Sequence, residues 1–273
     1  MVTFLAAPVP VETITSLSDP RIAAYTNLKE RDLARGGDRF IAEGEHVVRR
    51  LLASNTPVES VLLAPWQLEK LAPLCRAGVA IYTADEPLVR QILGFKFHSG
   101  AMACGIRPPR VALNTVIPPA GKPALLVVCE EISNLQNMGS MIRIAAAFGA
   151  TALVLGPRCC DPYFRQSVRV SMGTIFSLPL VRSRDLMADL DALAAHGITR
   201  FATVLDTDAE PLSKIAPVAR AALVFGSEAR GLSAEAISRC DRRVTIPMHL
   251  GTASLNVAIA AAVFLYHFAA NRP

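Results

Sequence analysis

From residue 124 onward, short, mostly apolar runs alternate with longer stretches of helical character. The runs are "ALLVVCEEI", "ALVLG", "RFATVLD", "RAALVFG" and "RRVTIPM". A strand without polar alternation has to be covered on both faces, and this is the situation of a parallel sheet. Parallel neighbours need crossovers. The segments "NMGSMIRIAAAFGA", "DLMADLDALAAHG", "SAEAISRC" and "SLNVAIAAAVFLYHFAA" supply them. The pattern predicts a doubly wound α/β domain with five or six strands.

Ahead of it lies a seam. Residues 107 to 123 read "RPPRVALNTVIPPAGKP" and hold five prolines. Proline fixes φ and removes a backbone donor, so the stretch reads as a linker over 108–122. It would separate a first domain, 1–107, from a second, 123–273. The first domain also alternates. Asp19 is a candidate N-cap with Pro20 at the first helical position and Gly36 beyond the end. The strand candidates "DRFIAEG", "VESVLLA", "VAIYTA" and "GAMACGI" are separated by the helix candidates "EHVVRRLLAS", "QLEKLAPLCRAG" and "EPLVRQILG". This predicts a small α/β layer structure.

Composition removes several function classes. With 52% hydrophobic and 19% charged residues, the 273-residue chain is not a disordered one. Its six cysteines form no C-x-x-C pair and read as reduced, buried thiols. The start, "MVTFLAAPVPVETITS", has no basic n-region and is interrupted by Pro8 and Pro10, unlike a signal peptide. The longest apolar run, Val257 to Ala270, is short for a span and carries His267. The expectation is a cytoplasmic protein with no membrane partner. The five histidines are scattered without metal-ligand spacing, so no metal is expected. There is no P-loop, no G-x-G-x-x-G after a first strand and no G-x-S-x-G elbow. The formal charge of +5, carried mostly by arginine, serves solubility and equally a polyanionic partner.

Three polar clusters remain, each at the end of an apolar strand of the second domain. Ligands of open α/β sheets bind at that edge. In "SNLQNMGSMIR", Asn137 and Gly139 open a helix and Arg143 follows within it. A helix N-terminus offers free N–H groups to an anion, and a guanidinium adds a phosphate-matching fork. In "VFGSEARGL", Gly226 and Gly231 flank Glu228. In "IPMHLGTASLNVAI", Pro247 and Gly251 precede Thr252, Ser254 and Asn256 at the front of the long apolar helix. Ser254 suits an N-cap; Asn256, just inside the helix, is less well explained by capping. Each cluster taken alone also reads as ordinary loop or cap chemistry.

Together, in this order and spacing, the three clusters resemble the signature motifs of the SpoU (TrmH-like) branch of the SPOUT RNA methyltransferases. The resemblance covers about residues 122 to 270, including "DPYFRQSVRVSMGTIFSLPL" between the first two motifs. The front half, with "SLSDPRI" and "FIAEGEHVVRRLL", is similar to the small ribosomal-protein-like RNA-binding domain of many members. The resemblance implies a C-terminal α/β knot domain with a deep trefoil knot behind a small α/β RNA-binding domain. It implies S-adenosyl-L-methionine as cofactor, methyl transfer to a ribose 2′-OH of RNA, and a homodimer built on the first motif and the closing helix. Ribosomal RNA is the expected substrate ahead of transfer RNA.

By the same resemblance the catalytic set is Asn137, Arg143, Glu228, Ser254 and Asn256. Gly226, Ile246, Met248 and Leu255 would surround the cofactor, with Thr203 and Leu205 adding to the pocket. The family proposal makes Arg143 a base. A guanidinium does not ordinarily deprotonate, and a clamp on the adjacent phosphate or on developing charge is the physically favoured role. Arg31, Arg35, Arg39, Arg49 and Arg50 form a candidate phosphate-tracking patch. Two alternatives stay open: an inactive RNA-binding or ribosome-assembly protein of the same fold, and a methyltransferase conferring antibiotic resistance.

Overall fold

The computed structural model describes residues 10–26, 37–93 and 97–270. Expectations for Arg31, Arg35 and Gly36 fall outside them. The chain forms two compact units, one of residues 1–108 with 163–176, the other of residues 109–162 with 177–273.

In the first unit, β1 (Val11–Thr13), β2 (Arg39–Glu43), β3 (Val58–Leu63), β4 (Ala80–Thr83) and β5 (Ala101–Ile106) form one mixed sheet, in the order β1-β4-β3-β5-β2. Three strands run parallel, and β5 is antiparallel to both β3 and β2. Helices α1 (Glu45–Ala53), α2 (Leu68–Leu71) and α3 (Glu86–Leu93) connect them. Asp19 caps as expected, accepting from Arg21 N–H, but the turn it opens, Pro20–Tyr25, is a 3-10 helix. The "QLEKLAPLCRAG" helix shrinks to the single turn of α2 between 3-10 turns, since Pro73 cannot continue it.

The second unit holds α4 (Leu113–Val116), β6 (Ala124–Cys129), α5 (Leu135–Ala147) and β7 (Ala152–Leu155). After these comes α6 (Arg165–Val170), which belongs to the first unit. The second unit then resumes with β8 (Leu180–Arg182), α7 (Leu186–Ala195), β9 (Thr199–Thr203), β10 (Glu210–Pro211), β11 (Arg220–Phe225), α8 (Ala234–Ser238), β12 (Arg242–Thr245) and α9 (Val257–Ala270). Its seven strands are all parallel, in the order β10-β12-β9-β11-β6-β7-β8. The wholly apolar runs are buried as expected: every residue of β6 and β7 is inaccessible. On α9, Phe264, Leu265 and Phe268 are buried, each side chain contributing about 1.5–3 kcal/mol.

Two boundaries differ from the sequence reading. The proline-rich stretch is not a free linker. Leu113 and Ile117 enter the core of the second unit, and Arg220 ties it down by donating to the carbonyls of Pro118, Pro119 and Lys122. Residues 163–176, read as part of the second domain, pack on the first unit instead. There Phe40 meets the rings of Tyr163 and Phe176 at 5.1 and 5.7 Å.

Candidate active site

β6 and β11 lie side by side, with Cys129 opposite Phe225. From β6 the chain continues outward through β7 and β8; beyond β11 lie β9, β12 and β10. The connections therefore diverge between these two strands, and a crevice opens at such a switch point. The first two polar clusters follow β6 and β11 directly.

After β6, Asn134 caps α5, its Oδ1 accepting from the N–H groups of Gln136 (2.8 Å) and Asn137 (3.1 Å). Asn137 thus sits in the first turn with its own amide free for other work. After β11 the chain folds back tightly: Ser227 and Gly231 exchange both backbone hydrogen bonds at 2.9 Å. A Cβ on Gly226 would stand 2.1 Å from the Gly231 carbonyl carbon, so only glycine fits. Glu228 is at the tip of this loop.

The Glu228 carboxylate accepts from Asn137 Nδ2 (3.1 Å) and from the N–H groups of Asn134 (3.2 Å) and Ser133 (3.3 Å). Partial burial pushes its pKa up, yet these hydrogen bonds outweigh that and hold it below the ordinary 4.5. An ionised carboxylate only accepts, so the NH₂ of Asn137 has to face it. Asn137 Oδ1 then accepts from Asn256 Nδ2 at 3.0 Å, and Asn256 Oδ1 accepts from Ala258 N–H at 2.9 Å. One directed chain of bonds joins all three clusters and fixes the orientation of both amides.

Two expected residues stand apart from it. Arg143 lies six residues beyond Asn137 on α5, about 9 Å along the axis and turned to another face. It is exposed, and among the described residues it has no hydrogen-bond or ion-pair partner. Ser254 is exposed and is not the cap of α9. That helix begins at Val257, so Asn256 is the capping residue, which corrects the reading of the two.

The residues expected around a cofactor share one edge. Thr203 ends β9, its Oγ1 donating to Val224 O at 2.9 Å. Gly226 follows β11, and Ile246 and Met248, both half-buried, follow β12. Leu255 is half-buried beside Asn256. Leu205 is 63% exposed, and Leu250, in a strained loop at φ +56°, is wholly exposed. These apolar side chains beside a bare glycine backbone fit the wall and close approach that an adenine needs.

Sequence reasoning missed Leu250, whose signal was an apolar residue inside a Pro/Gly loop. It also missed Glu130 and Glu131. Buried Glu130 accepts from Ser233 N–H at 2.9 Å, and Glu131 holds Arg230 at 2.9 Å and Arg158 at 3.1 Å. The signal there was a pair of carboxylates closing an apolar strand. Cys159 is structural: its sulfur accepts from Ile132 N–H, and burial raises the thiol to about 11.

Residues 124–266 match the SpoU rRNA methylase family. The chain is 35% identical to an uncharacterized tRNA/rRNA methyltransferase of Mycobacterium bovis, over 94% of this chain and 91% of that one. It is 27% identical to the 23S rRNA (guanosine(2553)-2′-O)-methyltransferase RlmP of Bacillus subtilis, over 94% and 99%. The SpoU methyltransferase AviRb of Streptomyces viridochromogenes, solved in complex with AdoMet, superposes with a TM-score of 0.75 at 25% identity, over 92% and 98%. Shared fold, near-complete coverage and the three clusters agree: this chain belongs to the SpoU rRNA methylase family.

Proposed function

We propose that the protein transfers a methyl group from S-adenosylmethionine to a ribose 2′-hydroxyl of RNA, ribosomal RNA ahead of transfer RNA, and that it does so in the cytoplasm as a homodimer. The observation that carries this reading is the Glu228–Asn137–Asn256 chain of hydrogen bonds, which closes the three clusters over one strand edge. When bound, the cofactor supplies an activated methyl group. The protein's task is then to bring one hydroxyl into line with it and to stabilise the oxygen as its proton leaves. Thr203, Leu205, Gly226, Ile246, Met248, Leu250 and Leu255 form the cofactor wall. Glu228 orients Asn137, and Asn137 orients Asn256, so that the loops on either side keep a fixed width. Arg143 clamps the phosphate beside the reacting ribose and offsets developing negative charge. We read the segment from β12 to α9 as the threaded part of a trefoil knot; the insertion of β11 between β6 and β9 supports this.

The homodimer rests on α9. Ile259, Val263 and Tyr266 are 56%, 41% and 63% exposed and recur at helical spacing on one face, with Tyr266 edge-on to Phe148 after α5. A second copy seated on this face would bring its own Arg143 to the cleft, which accounts for an arginine without a partner among the described residues of its own chain.

Titration calorimetry with S-adenosylmethionine, followed by tritium transfer to ribosomal and transfer RNA, tests the proposal. Binding with transfer to a ribose supports it. No cofactor binding at millimolar concentration would instead favour an inactive RNA-binding or ribosome-assembly protein.

A further inference from the structure

A cavity lies in the first unit, lined by residues ahead of the matched region and by Arg165, Arg169 and Met172 within it. Its volume is about 720 Å³, and it opens over the N-terminus of α1, with residues 165–172 forming part of its wall. Its cap position is Gly44, at φ +106°, and no side chain caps the helix. The first N–H groups of α1 thus have no side-chain cap, with the carboxylate of Glu45 in the first turn. Arg165 and Arg169 also line it, and both are drawn onto Glu43, at 2.6 and 3.7 Å. Arg169 is 57% exposed, with much of its five-donor fork unspent. Two exposed imidazoles, His46 and His98, complete this donor- and ring-rich side.

The same lining holds an acceptor. Gln67 lines the cavity and is 5% exposed. Its Nε2 donates to Glu45 Oε2 and to Ser99 O, both at 3.0 Å. Two acceptors around one end of the amide fix its orientation, so Oε1 is the other end, and among the described residues Oε1 has no partner. A buried carbonyl oxygen left this way calls for a donor. Donors for a phosphate, flat groups for stacking and an unmet acceptor for an N–H together describe a nucleotide.

We propose that this cavity of the first unit seats one unpaired nucleotide of the RNA substrate. Its phosphate lies against α1 and Arg169, its base against His98, and a base N–H reaches Gln67. The inference rests on RNA being the substrate, and it makes the first unit the reader of which RNA is presented. Of the arginines expected to form that reader, the three described ones have partners in the fold: Arg39 pairs with Glu59, Arg49 with Glu45, and Arg50 donates to Met172 O.

The test is photo-crosslinking of the full-length protein to 4-thiouridine-substituted 23S ribosomal RNA, with the adducts located by mass spectrometry. Peptides carrying His46, His98 or Arg169 are expected among them. The exposed variant His98→Ala, which breaks no hydrogen bond in the fold, should raise KM for RNA about five-fold or more while kcat and cofactor affinity hold. Crosslinks confined to the Glu228–Asn256 region, with an unchanged KM in His98→Ala, overturn the cavity and leave the methyl-transfer reading standing. No crosslink to RNA anywhere overturns both.

Discussion

Asn137 spends both ends of its amide between two other segments, and its neighbour Asn256 does two jobs at once. This separates stability from geometry. Asn256→Asp keeps the oxygen that caps α9 and loses the NH₂ that reaches Asn137. Its melting temperature should stay near wild type while kcat falls. Asn256→Ala loses the cap as well and should cost about 1 kcal/mol of stability, read by denaturant unfolding. Glu228→Gln replaces an acceptor-only group by one that donates, and kcat/KM should fall about 10- to 100-fold. Because the Glu228 pKa is held below 4.5 in the folded protein, its contribution to stability is complete above that value and is lost as pH falls further. The stability gap between wild type and Glu228→Gln should therefore be constant at neutral pH and close in acid below 4.5. At this scale the sequence was only partly legible. Glu228 and Asn137 could be nominated from their loop positions, but Ser254 and Asn256 exchanged roles because a cap depends on where a helix begins, and two residues of loop moved that point.

Elements carry the site by ending together. The runs "ALLVVC" and "RAALVF" announced buried strands because nothing polar alternates in them, and their order placed two loops at the switch point. What no local pattern announced was the destination of residues 163–176. Phe40 with Tyr163 and Phe176 is a contact across more than a hundred residues, and such a contact leaves no periodicity in the chain. The proline-rich stretch misled for a similar reason: prolines rule out helix and central strand, but they do not keep Leu113 and Ile117 out of a core. The loop after β11 is tightly constrained. Gly226→Ala forces a methyl into the Gly231 backbone and should destabilise the fold by about 3 kcal/mol, with cofactor binding lost in parallel. A melting curve and a calorimetric titration on the same sample check both effects.

At the scale of the whole molecule the proposed homodimer is open to test. Val263→Glu on the exposed face of α9 should move the particle from twice the 29.2 kDa chain mass to that mass in light scattering. Activity should fall with it, while the monomer keeps its fold. Arg143→Lys should leave assembly and cofactor affinity intact and still lower kcat at least about ten-fold, since an ammonium keeps the charge without the fork. The most direct test of the central claim is the product itself. RNA treated with the protein and S-adenosylmethionine is digested to nucleosides and separated by mass spectrometry. The account predicts a 2′-O-methylribonucleoside that disappears with Asn137→Ala; methyl groups on a base, or a ribose product untouched by that substitution, would contradict it.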